Sequence, residues 1–171
     1  MSIEDEIRDR VGRGMLHAMQ PSARGEAACR ALLLTKELRT QIYTPGDDEW
    51  EKRKGHLFAD LDVFITGEPI DPNYMFLLQP VKFGVWEIRS RHPRPGLRVL
   101  GLFATKDVFV AINLAVRKTL GGRTSPEWAA AVLGAKAAWQ QIFPGNAPLI
   151  SAEVNDVVSG AIDGQYFQPE S

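Results

Sequence analysis

Val85-Trp86-Glu87-Ile88-Arg89-Ser90, His92-Pro93-Arg94-Pro95-Gly96, Leu97-Arg98-Val99-Leu100-Gly101-Leu102-Phe103-Ala104 and the run from Val108 to Leu114 decide the fold. The first segment has a period of two, with Trp86 and Ile88 on one face and Glu87 and Arg89 on the other. The proline-rich pentapeptide has too few free N–H groups for a ladder and reads as a hairpin connection. Leu97 to Ala104 is the returning strand, with Arg98 facing away from Leu97 and Val99. Thr105-Lys106-Asp107 makes a second tight turn. Val108 to Leu114 is apolar on both faces, which predicts a central strand. Three strands joined by short loops form an antiparallel meander.

Working outward, Arg117-Lys118 leaves the third strand and Gly121-Gly122 is a flexible connection. Thr124-Ser125-Pro126-Glu127 has the cap, first-turn proline and glutamate of a helix start. Trp128, Val132, Ala135, Trp139 and Ile142 make that helix's buried stripe, and Pro144-Gly145 stops it. A short helix over 151–159 and a polar tail follow. On the N-terminal side, Ile3, Ile7, Val11 and Met15 recur every four residues and predict a helix over 2–19. Ser22 is the expected cap of a second helix over 22–38, rich in alanine and leucine. Thr44-Pro45-Gly46-Asp47 marks a boundary, and a third helix is predicted over 48–65, with Trp50, Leu57, Leu61 and Phe64 on one side. The period changes again from Met75. The expected architecture is α+β: a helical N-terminal extension over 1–45, a core over 46–145 in which an antiparallel meander packs with helices, and a short helix with a polar tail over 146–171.

The chain has 171 residues and a net charge of −1. The charge is unevenly spread. Residues 1–80 carry ten Lys/Arg against fourteen Asp/Glu, residues 81–136 carry ten against three, and residues 137–171 carry none against four. A block at +7 between two flanks at −4 points to a patch for a polyanion inside a nearly neutral protein. The acidic flanks are placed to fold over the basic face and neutralise it in cis. One cysteine, Cys29, excludes an intramolecular disulfide; within an alanine- and leucine-rich helix it reads as a small core residue. His17, His56 and His92 are far apart, so no metal is expected, and no phosphate or dinucleotide loop motif occurs. No cofactor is called for. No apolar run approaches the roughly 20 residues that cross a bilayer, and the acidic N-terminus is no secretory signal, so a cytoplasmic location without membrane contact is expected.

The arginines of the meander carry the functional signal. Arg89 and Arg98 lie on adjacent antiparallel strands and face the same way. Like charges so placed favour an anion between them, and guanidinium groups hold phosphate in bidentate fashion. Arg117 and Lys118 leave the end of the third strand toward the same patch. The alternative is that Arg89 and Arg98 are neutralised by acids within the fold, Asp107 or a carboxylate of the N-terminal helices among them.

The order of the Val85–Arg89 strand, the Gly96–Phe103 strand with its early arginine, an apolar strand ending in Arg117-Lys118, and the Thr124–Glu127 helix start resembles the RelE/HigB-type toxins of toxin–antitoxin modules and their phage-derived relatives. The resemblance spans about Leu57 to Lys136. It implies a RelE-like core and a toxin-like, RNA-binding, metal-independent endoribonuclease acting on mRNA at the ribosome, through attack of a 2′-OH on the adjacent phosphate. Such a reaction needs a base, cations for the phosphorane and an acid for the leaving oxygen. Carried over, Arg89, Arg98 and Lys118 would be catalytic, and Arg91, Arg94, Arg117 and Arg123 would bind RNA. His92 would have a minor part in proton transfer. The partners implied are RNA or the ribosome and a cognate antitoxin. Two alternatives stay open: an inactive relative serving as a nucleic-acid or protein binding module, and a homodimer joined through the N-terminal helices.

Overall fold

The alternating strands of the central segment sit inside a larger sheet than their pattern alone specifies. The structure, a computed structural model, describes residues 1–169. Its strands are β1 (Leu16–Ala18), β2 (Ala31–Thr35), β3 (Met75–Leu77), β4 (Trp86–Ser90), β5 (Leu97–Thr105) and β6 (Val108–Val116). The helices are α1 (Ile3–Gly12), α2 (Lys36–Tyr43), α3 (Asp48–Ile65), α4 (Arg117–Leu120), α5 (Pro126–Ile142) and α6 (Val154–Val157). The strands form one sheet in the order β1-β2-β6-β5-β4-β3. The run from β3 to β6 is an antiparallel meander, whereas β2 lies parallel to β6. The fold is therefore α+β, as expected, but the sheet is mixed.

Each face of the sheet buries its own apolar layer. On one face, Leu38 and Ile42 of α2 and Leu57, Leu61 and Phe64 of α3 pack on Trp86, Ile88, Val99, Phe103 and Phe109. Phe103 is the hub, meeting Trp86 edge-on at 5.9 Å and Phe109 at 5.0 Å between ring centroids. On the other face, Trp128, Val132, Ala135 and Trp139 of α5 cover Val85, Leu100, Leu102 and Val110. The helix starts follow from side-chain caps: Asp47 accepts from the Trp50 N–H at 2.8 Å and Ser125 from that of Trp128 at 3.2 Å.

The N-terminal third departs from the helical reading. The helix expected over 2–19 ends at Gly12, and a turn with Gly14 at φ 74° leads into β1. The helix expected over 22–38 does not form. Leu32 and Leu34 are buried on the α3 side and Leu33 on the α5 side, a pattern suited to an internal strand between two sheet neighbours. Thr35 ends β2 and caps α2 by accepting from the Leu38 N–H at 3.2 Å. Residues 1–45 thus add two strands to the sheet. Ile3 and Ile7, the stripe available for a helical dimer contact, pack on the α5-side core. Cys29 lies exposed in the loop before β2, not in a core helix. The helix expected over 151–159 is the single turn α6.

An irregularity in β6 sets which side chains reach each face at the strand's far end. Leu100 pairs with Asn113 but Gly101 pairs with Ala111, which leaves Ile112 without a partner on β5. This bulge shifts the alternation of β6 by one residue. Phe109 and Ala111 face the α3 layer, whereas after the bulge Ala115, opposite Arg98, faces the α5 layer. The strand geometry continues as the Arg117 N–H donates to Gly96 O at 3.0 Å. Gly101 allows the close approach: a Cβ there would collide with Val110 O and lie 2.7 Å from the Phe109 ring. Gly101→Ala is expected to destabilise the protein by about 3 kcal/mol or to open the bulge, read as the midpoint of urea denaturation.

Candidate phosphate-binding site

The α5-side face of the sheet is apolar under the helix and charged beyond it. Glu87 and Arg89 of β4 and Arg98 of β5 lie on this face, with Arg89 and Arg98 directly opposed in the register. Glu87 has 0% exposure and is a carboxylate inside the sheet layer. The Arg89 Nε–H donates to its Oε1 at 2.7 Å. Arg98 Nε stands 3.6 Å from its Oε2, close enough for attraction but too far for a hydrogen bond. Those two buried atoms, Glu87 Oε2 and Arg98 Nε, have no hydrogen-bond partner.

Two further arginines complete the group. Arg117 enters this face through the phase shift at Ile112; its guanidinium donates to Gly121 O at 2.8 Å and lies 5.6 Å from the Trp128 ring centroid. Arg123, from the loop before α5, lies 4.7 Å from the Phe76 ring centroid, and Arg89 lies 4.8 Å from the same centroid. Phe76 of β3 thus serves two guanidinium groups. Arg89 also donates to Pro72 O at 3.2 Å and Arg98 to Leu97 O at 3.0 Å. Arg123 makes no hydrogen bond or ion pair among the described residues, so its donors are available.

The electrostatics follow from burial and crowding. Burial pulls Arg98 down to about 10; Glu87 opposes the shift, and Arg89, Arg117 and Arg123 add to it. Arg123 is lowered by burial first, with Glu87 opposing and Arg89 and Arg117 adding to it. Both remain charged near neutral pH. Four guanidinium groups around one carboxylate leave a local charge of +3. Two like charges about 6 Å apart repel by about 3 kcal/mol at an effective dielectric of about 20. An anion of one or two charges placed among the free N–H groups would relieve that repulsion and supply the missing acceptors.

The expected residues divide clearly. Arg89, Arg98, Arg117 and Arg123 are brought together. Lys118 is exposed and makes no ion pair or hydrogen bond among the described residues, so Arg117 is the member of that basic pair that joins the cluster. Arg91 and His92, exposed on the β4–β5 connection, border a separate cleft of about 220 Å³ with Asp60, Asp71, Asn73, Tyr74 and the flank of Arg89. Arg94 is exposed, and its carbonyl accepts from Arg53 at 3.4 Å, which fixes the hairpin backbone. Neutralisation within the fold occurs, but through Glu87 of the basic segment itself. Asp107 pairs instead with Arg30 at 3.9 Å and accepts from the Ser159 hydroxyl at 2.6 Å. Among the described residues no acid of the flanks makes an ion pair with Arg89, Arg98, Arg117 or Arg123. Tyr166 is buried, its hydroxyl donating to Ile162 O at 2.6 Å, which makes it a structural residue. Residues not anticipated from sequence are Glu87 as the organising anion and Phe76 and Trp128 as the rings beneath the guanidiniums.

Among the described residues no cluster of His, Cys, Asp and Glu side chains could hold a metal, and no helix is long and apolar enough to cross a membrane. Comparison with protein-family models, with curated proteins and with solved structures finds no match for this chain. Glu87→Gln removes the one buried counter-charge and is expected to cost about 3 kcal/mol. Added inorganic phosphate should restore more stability to this variant than to the wild type. Thermal unfolding with and without phosphate makes the comparison; an equal response in both proteins would separate Glu87 from the anion site.

Proposed function

We propose that this chain is a toxin-like RNA-binding protein that grips the phosphate backbone with Arg89, Arg98, Arg117 and Arg123. The observation that carries the reading is the gathering of four guanidinium groups, two of them on a single, fully buried carboxylate and two more close enough to act on Arg98, with donors left over. Rigid guanidinium forks suit phosphate oxygens, and the aromatic rings beside them are the usual companions of such groups in single-strand binding. RNA is favoured over DNA by the resemblance of the central segment to RelE/HigB-type toxins, which also makes the ribosome and a cognate antitoxin the partners to look for.

Metal-independent cleavage of mRNA is the second reading. It draws on the direct opposition of Arg89 and Arg98, the arrangement expected of a pair that clasps a scissile phosphate. Binding without cleavage is favoured over it because Glu87, the carboxylate that Arg89 and Arg98 contact, has no exposed surface through which to exchange a proton with a substrate. His92 borders the other cleft, on the far flank of Arg89.

Fluorescence anisotropy with a short single-stranded RNA should give an affinity that falls steeply with salt. Arg98→Ala and Arg123→Ala should each flatten the slope of log K against log salt by about 0.7. Binding that ignores salt or these substitutions would refute the reading. In the same samples RNA should remain intact. Fragments ending in a 2′,3′-cyclic phosphate, lost in Arg98→Ala, would select cleavage instead.

A further inference from the structure

Beside the cluster lies a cleft of about 380 Å³, within the range of small-ligand sites, bounded by β3, the β3–β4 connection, the start of α5 and the C-terminal segment. Leu77, Leu78, Trp128, Ala129 and Val132 make its walls apolar. Arg123 and Phe76 stand at its border, and Phe76 is the ring shared with Arg89, so the cleft opens directly onto the arginine group. Its polar groups are few. The Gln79 Nε2–H donates to Gln168 O at 2.7 Å, which fixes that amide and leaves its oxygen free. The Thr124 hydroxyl and the Gln168 side-chain amide make no hydrogen bond among the described residues.

An acyl chain would match the walls but make no use of those three exposed groups, and a phosphate would match the border but not the walls. A flat, largely apolar ring with hydrogen-bonding edges matches both. We propose, resting on the RNA-binding reading above, that this cleft is a nucleobase subsite. One base of the bound strand enters it while the adjoining phosphate rests on Arg123 and Arg98. Gln79, Thr124 and Gln168 meet the edge of the base, and Trp128 and Val132 line its face. The protein then binds single strands in preference to duplexes, because a paired base is not free to enter.

The test compares three probes of equal charge: oligouridylate, oligoadenylate and a ribose-phosphate strand of the same length without bases. At least one base-bearing strand should bind about fivefold or more tighter than the abasic strand, the effect of stacking one base. Ala129→Trp, at an exposed position on the cleft wall, should bring that ratio toward one. Equal affinity for all three probes, sensitive to Arg98→Ala, would overturn the base subsite and leave phosphate binding standing. A preference for bases that survives Ala129→Trp would also overturn it, by moving the base elsewhere. No binding of any probe would overturn this proposal and the RNA-binding reading together.

Discussion

Glu87 is a carboxylate with no exposed surface in the second strand of the meander, and the cationic end of the molecule is organised around it. A lone buried carboxylate costs several kcal/mol, so partners must come to it. Arg89 approaches from two residues along the same strand and Arg98 from the neighbouring strand. Once two guanidiniums are held for one acid, the balance is already positive, and Arg117 and Arg123 raise it further. The sheet thus holds a surplus of charge in place by covalent geometry and ladder hydrogen bonds, not by mutual neutralisation. The surplus is available to a ligand because the scaffold, with its aromatic core around Phe103, bears the cost of holding it.

The same face of the sheet does two jobs along its length. Beneath α5 it is apolar, with Leu100, Leu102 and Val110 closed over by Trp128, Val132 and Trp139. Where the first turn of α5 ends the cover, the charged residues begin. The N–H groups of that turn add a partial positive charge at the same end. Trp128 belongs to both regions, since its indole is packed in the core, donates to Gly121 O at 3.2 Å and lies under Arg117. Fold stability and site geometry are coupled through this one ring.

The meander, α3 and α5 were legible because their signals are local: alternation at 85–104, the Thr44–Asp47 turn before an apolar stripe of Trp50, Leu57, Leu61 and Phe64, and Ser125-Pro126 before another. The N-terminal strands were not. Ala31 to Leu34 is a short apolar run that periodicity cannot separate from a helix. Its strand state depends on parallel pairing with β6, from Ala31 opposite Val108 to Leu34 opposite Ala111. At the candidate site, charge patterning singled out Arg89, Arg98, Arg117 and Arg123, which the fold brings together. It did not find Glu87, because a single acid in a basic block looks like noise until its burial is known. Lys118 and Arg117 are adjacent, and only the phase of the strand before them separates the one that joins the cluster.

That phase has a bearing on how relatives of this chain are to be recognised. The arginine face is encoded by strand length as well as by residue type: Ile112 is the extra residue that turns Arg117 toward the α5 side. Over evolutionary time an insertion or deletion anywhere between Val108 and Val116 would exchange the two faces of the strand's end while leaving its composition almost untouched. Homologues sharing this site should therefore keep β6 free of gaps even where its apolar residues interchange freely. An alignment that slides by one position there would pair sequences that look alike and present opposite surfaces.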